Sequence, residues 1–148
     1  MPAGDGRARI GAMSYTTLHA TPDAATYQRL RAASGLSAKS AEAAARGLPN
    51  TLFAVQVLQG GEPVGMGRVI GDGGTAFQVV DIAVLPAHQG RGLGKRIMAE
   101  IADWLAAHVP PGGYVSLLAD TPADALYAQF GFVHTAPRTV GMAWRRPG

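Results

Sequence analysis

Three glycines at alternate positions, Gly90, Gly92 and Gly94, break the stretch that runs from Asp81 to Arg96. They let the backbone turn tightly into a helix beginning near Gly92. The first N–H groups of such a helix have no intrahelical acceptor and can bind an anion. Lys95 and Arg96 fall in the first helical turn, where the helix dipole disfavours cations by ~0.3–1 kcal/mol, and Arg91 adds a third positive charge beside them. A bound phosphate would offset that misplaced charge. A P-loop is excluded, because its first Gly and its Ser or Thr would fall on Gln89 and Arg96. A dinucleotide fingerprint is excluded by the G-x-G-x-G spacing. The plainer alternative is that the glycines only shape a turn from strand to helix.

Other chemically capable side chains lie around this loop. Asp120 ends an apolar run seven residues before Tyr127. On the residues alone, Asp120 reads as a loop-end residue that hydrogen-bonds its neighbours or helps cap the next helix, and Tyr127 as a core tyrosine sharing an apolar helix face with Leu126 and Phe130. Asp81 sits in a β-rich run on the face of Phe77 and Val79, where a charge wants a reason; the plainer readings are a strand charge pointing to solvent or a salt-bridge partner. His88 is expected to be a solvated loop residue. His19, His108 and His134 are isolated and show no ligand spacing, so no metal is expected.

The elements that must position these groups follow from local pattern. Ser14–His19 reads as a short strand, then Thr21-Pro22-Asp23 as a helix start with Thr21 as N-cap, running to Ser34 and stopping at Gly35. Ala38–Arg46 reads as a second, Ala-rich helix. Thr51–Leu58, Pro63–Ile70 and Thr75–Val84 are β-rich runs separated by Gly- and Asp-containing hairpin turns. Gly65 and Gly67 inside the middle run mark a bulge or a close backbone approach. Leu93, Ile97, Ile101, Trp104 and Leu105 share one face of a helix ending before Pro110. Tyr114–Ala119 reads as a buried strand. Thr121 to Asp124 opens a short helix with Thr121 as cap and Asp124 as a capping-box acid, closed by Gly131. Phe132–Thr135 and Gly141–Arg145 are expected to complete the sheet. The result is an α/β fold, a mixed, mostly antiparallel sheet with helices on both faces.

Composition narrows the class. The 148 residues are 47% hydrophobic and 16% charged, with no Cys, which removes disulfides, zinc fingers and thiol catalysis. One domain over residues 13–148 with a flexible arm over 1–12 is expected. No run is long and apolar enough to span a bilayer, and no secretory h-region is visible, so a cytoplasmic protein without membrane association is expected. The net charge of +3 does not point to nucleic acid. Eleven of the 13 basic residues are Arg, scattered along the chain without aromatic interleaving.

With its flanks, the glycine loop resembles the acyl-CoA motif of the GCN5-related N-acetyltransferase (GNAT) superfamily, Gln/Arg-x-x-Gly-x-Gly/Ala, matched by Gln89-Gly90-Arg91-Gly92-Leu93-Gly94. Val84-Leu85-Pro86 before it and Leu126-Tyr127-x-x-Phe130-Gly131-Phe132 after it are similar to the same family's strand end and C-terminal signature. The resemblance spans residues 51–132 and implies the GNAT fold, acetyl-CoA as cosubstrate, and direct attack of an amine on the thioester. It implies that backbone N–H groups from Gln89 to Lys95, including those of Arg91 and Leu93, hold the pyrophosphate. It implies that Ile82, Ala83 and Val84 pair with the pantetheine arm as an added strand. The Val84 N–H would stabilise the thioester oxygen, Tyr127 would be the general acid, and the base would be Asp120, Asp81 or a water chain. A small primary amine as acceptor and a homodimer are further implications. The other functional class is a non-catalytic acyl-CoA sensor or accessory subunit.

A narrower likeness concerns Ser116-Leu117-x-Ala119-Asp120 with Tyr127, and Gly141-Met142-x-Trp144. These are similar to the arylalkylamine (serotonin-type) acetyltransferases, although an Asn of that group falls on Tyr114. The acceptor surface is expected in the helix pair over residues 22–46, with Tyr27, Leu30, Leu36 and Leu48 as an apolar wall.

Overall fold

The structure, a computed structural model, describes residues 14–147; the arm over 1–12 lies outside them. Strand β1 (Tyr15–Leu18) leads to helices α1 (Ala24–Ala33) and α2 (Ala41–Gly47). Strands β2 (Phe53–Gln59), β3 (Glu62–Gly71) and β4 (Ala76–Val84) follow as hairpins, then α3 (Leu93–His108), β5 (Tyr114–Ser116) and α4 (Asp124–Ala128). The sheet order is β1-β2-β3-β4-β5, antiparallel except for the β4–β5 pair.

Helices cover both faces, as the periodicity predicts. On one side Leu93, Ile97, Met98 and Ile101 of α3 pack on Val55, Val57, Val69 and Val79. On the other, Tyr27 and Leu30 of α1 with Ala44 and Leu48 pack on Met66 and Ala83. The two inner glycines of β3 are where α3 comes closest. A β-carbon on Gly67 would lie 2.6 Å from Ile82 Cδ1 and 2.7 Å from Ile97 Cγ2, and one on Gly65 would lie 3.2 Å from the Ala83 carbonyl oxygen. The register of β3 against β4 also shifts between Met66 and Arg68, so the expected bulge and the expected close approach occur together. Gly67→Val should therefore overpack this contact and destabilise the fold by about 1–3 kcal/mol, read as a lower urea midpoint with an unchanged slope.

Several boundaries differ from the sequence expectation. Asp23, not Thr21, caps α1, its carboxylate accepting from the Thr26 N–H at 2.8 Å; an N-cap needs its acceptor one turn below N3, which only Asp23 supplies. Ser40 caps α2, so that helix starts at Ala41 rather than Ala38. Thr121 does not cap α4; the Ala123 N–H closes a turn on the Asp120 carbonyl instead, and Asp124 bonds His134 Nε2 at 2.9 Å.

The largest correction is at the C-terminus. Strand β5 ends at Ser116 rather than Ala119, and neither 132–135 nor 141–145 forms a strand. Gly131 turns the chain at φ +88°, and beyond it no ladder is made with the outer edge of β5. Without a ladder, the alternating apolar pattern of Val140, Met142 and Trp144 stays in solvent; Met142 is 88% and Trp144 82% exposed.

Candidate active site

The centre of the molecule is a wedge between two parallel strands that pair only at one end. Pairing of β4 with β5 runs from Ala76↔Tyr114 to Gln78↔Ser116 and stops, while β4 continues to Val84. The edge of β4 from Val79 onward is thus left unpaired on the β5 side. Two features produce the divergence. Asp81 adopts φ +60°, a left-handed conformation that is uncommon for a residue with a side chain, and the β3–β4 register slips beside it. The strand bends, and its last residues leave β5 while staying attached to β3.

Backbone direction in this end follows from the hydrogen bonds that remain. The Leu85 N–H donates to the Val64 carbonyl of the β3 side at 2.9 Å. Successive N–H groups alternate along a strand, so the Val84 N–H points away from β3, into the wedge. The Val84 carbonyl accepts from Gln89 Nε2 at 3.0 Å, so this side chain ties the strand end to the glycine loop.

The loop itself has the conformation its glycines allow. Gly90 and Gly92 have φ near +77° and +78°, and a β-carbon at either would meet nothing within 4 Å. Their glycine requirement is therefore conformational, with open space in front of the loop. Gly92 caps α3, and the first helical bond is from the Arg96 N–H to the Gly92 carbonyl. The N–H groups of Leu93, Gly94 and Lys95 have no intrahelical acceptor. The Gln89 N–H is already engaged by the Pro86 carbonyl at 3.3 Å, so the available donors begin after it. Arg91 and Lys95 are exposed, whereas Arg96 is drawn back to the Tyr15 carbonyl at 3.1 Å. An open, positively flanked nest of N–H groups fits a pyrophosphate, and a free strand edge fits an extended amide-containing arm such as pantetheine.

Tyr127, half-buried on α4, and Asp120, exposed in the segment that follows β5, line one cleft of about 520 Å³ with residues Val79–Ile82. Burial pushes the Tyr127 phenol up from its usual value, and the nearby Asp120 charge pushes it the same way. The phenol keeps its proton well above neutrality and is a donor there. Asp81 also borders this cleft, but both of its oxygens are taken. Arg31 Nη1 lies 2.5 Å from Oδ1 and Arg68 Nε lies 2.8 Å from Oδ2, with the Tyr27 hydroxyl donating to Oδ1 at 3.3 Å. Of the two carboxylates beside the cleft, Asp120 is the one left to accept a proton.

Other expectations are corrected. His88 is half-buried, with Nδ1 2.8 Å from the Tyr15 hydroxyl, rather than solvated. Tyr27, Leu30 and Leu48 are core residues and do not line this cleft; of the four apolar candidates only Leu36 borders it. Asp81 is thus the salt-bridge partner that its place on an apolar strand face allowed; its partners, Arg31 and Arg68, were not read from the sequence, although Arg68, a charge inside the neighbouring apolar strand, was a signal.

The acetyltransferase (GNAT) family model matches residues 17–132. The chain belongs to the GNAT family. A crystal structure from meticillin-resistant Staphylococcus aureus, described as a protein of unknown function and probable acetyltransferase, is 45% identical with a TM-score of 0.85, covering 90% of this chain and all of that one. A GNAT family protein from Streptococcus pneumoniae is 24% identical with a TM-score of 0.74, covering 91% of this chain and all of that one. An aminoglycoside acetyltransferase from an uncultured soil metagenomic sample shares the fold at 21% identity and a TM-score of 0.61, covering 92% of this chain and 99% of that one. No curated protein matches. This GNAT acetyltransferase has the α/β fold of its structural neighbours, with a five-stranded mixed sheet.

Proposed function

We propose that this acetyltransferase transfers the acetyl group of acetyl-CoA to a small primary amine bound in the cleft between β4 and β5. The observation that carries this reading is the pairing of a neutral phenol, Tyr127, with a free carboxylate, Asp120, at one cleft bordered by an unpaired strand edge. When bound, acetyl-CoA supplies a thioester carbonyl for direct attack. The N–H groups from Arg91 to Lys95 hold its pyrophosphate, and Ile82, Ala83 and Val84 hold the arm along the strand edge. The Val84 N–H donates to the oxygen that gains charge as the amine attacks. Asp120 takes a proton from the ammonium, because an amine of pKa ~10 is mostly protonated at neutral pH. Tyr127 gives its proton to the departing sulfur.

The acceptor we propose is an arylalkylamine. Leu36, Leu117 and Leu118 border the cleft and offer an apolar seat, and the cleft has one carboxylate free to meet a cation. A polycation such as spermidine or kanamycin needs several. Release of coenzyme A should be faster with tyramine, tryptamine or phenylethylamine than with lysine peptides, spermidine or kanamycin. A preference for spermidine or kanamycin would overturn the arylalkylamine reading. Asp120→Asn should lower the rate most at the acid end of the pH profile, where deprotonating the amine is hardest; a loss independent of pH would make Asp120 a binding residue only.

A further inference from the structure

Two guanidiniums share one carboxylate at the wall of this cleft. The side chains of Arg31 and Arg68 are each 8% exposed and that of Asp81 is 6% exposed. Arg31 also donates to the Ser37 carbonyl and hydroxyl, and Arg68 to the Thr51 hydroxyl, all neutral acceptors. The Tyr27 ring lies 5.8 Å from the Arg31 guanidinium and 5.4 Å from that of Arg68, yet its phenol stays protonated, since burial and the Asp81 charge raise its pKa. The buried cluster therefore holds one positive charge in excess, and a buried charge is costly without a counter-charge. Lys39 and Arg145, both exposed, border the same cleft, where the second carboxylate is Asp120.

Resting on the proposed transfer to a small primary amine, we infer that the acceptor carries an anionic group, a carboxylate or phosphate, in addition to its amine; among arylalkylamines this ranks the carboxylated ones above tyramine, tryptamine and phenylethylamine. The amine lies toward Asp120 and Tyr127, and the anion toward Arg31, Lys39 and Arg145. The cleft then separates charge in the same sense as the ligand does, and the excess cation at Arg31 and Arg68 gains its counter-charge when acceptor binds. Long-range attraction of the same sign favours an acceptor with net charge zero or below over a polycation.

Matched pairs of amines test this: tyrosine against tyramine, phenylalanine against phenylethylamine, and glucosamine 6-phosphate against glucosamine. In coenzyme A release, KM should be at least tenfold lower for the anionic member of at least one pair, and the advantage should shrink as salt is raised. The pair that shows it separates carboxylate from phosphate. Lys39→Ala combined with Arg145→Ala, both surface positions, should cut the anionic-to-neutral ratio of kcat/KM about tenfold, with the KM for acetyl-CoA changing less than twofold. Equal or better use of the neutral member in all three pairs overturns the inference. So does a double variant that raises the acetyl-CoA KM instead, which would assign these cations to the cosubstrate. Titration calorimetry of the same pairs, in the presence of coenzyme A, keeps the two readings distinguishable. Tighter binding of an anionic member without turnover of any amine would contradict the proposed transfer and support the anion site, and equal binding would contradict the anion site.

Discussion

Tyr127→Phe should reduce kcat by roughly 10²–10³-fold, within the span usual for removing a general acid, while acetyl-CoA binding changes little. The expectation rests on where the hydroxyl sits. Tyr127 is half-buried, its phenol pKa is raised by burial and by Asp120, and it borders the cleft that holds the unpaired Val79–Ile82 backbone. A raised pKa means that the donor form persists through neutral and moderately alkaline solution, so the alkaline fall in kcat due to this group should lie above pH ~10, its ordinary value. The Phe variant should lack that limb. The ring itself packs against the core with Leu126 and Phe130, so Phe retains the packing and isolates the hydroxyl. Equal loss of binding and rate would make Tyr127 a packing residue, and a fully retained rate would remove it from the chemistry.

Gly92→Asp should abolish the rise in melting temperature that acetyl-CoA gives to the wild-type protein. A ligand that binds only the folded state stabilises it by mass action, by about 2.7 kcal/mol at a hundredfold excess over Kd. The substitution acts in two ways at the same place. It forces a side chain into φ +78°, where L residues are strained, and it puts a carboxylate at the cap of α3, where an anion would approach Leu93, Gly94 and Lys95. Gly92→Asn separates the two, since Asn tolerates the left-handed region better and carries no charge; it should keep part of the shift. Absence of any shift for wild type at millimolar acetyl-CoA would contradict the assignment of this loop.

Local chemistry made much of this architecture legible. The five-residue spacing of Gly90, Gly92 and Gly94, the helical stripe from Leu93 to Leu105, and the paired glycines of β3 are short-range patterns with a single economical structural solution, and they appear where the pattern puts them. Asp81 is different. Its partners are Arg31, fifty residues earlier, and Arg68 in the neighbouring strand, and which cations meet it is decided by the tertiary fold rather than by the residues around it. The tail shows the converse. Val140, Met142 and Trp144 alternate as a strand should, yet alternation predicts a strand only where another edge receives it, and none of the described residues does. Cleft walls were harder still, because the apolar side chains of α1 that suggested a binding face are consumed by the core.

The position of bound acetyl-CoA tests the central claim most directly. In a crystal structure of the protein with acetyl-CoA, the pantetheine arm should lie along Ile82–Val84, the pyrophosphate at the N–H groups preceding and opening α3, and the sulfur within hydrogen-bonding reach of the Tyr127 hydroxyl. Density that places the thioester away from the wedge, or that leaves Tyr127 out of reach while the loop is filled, would contradict the account.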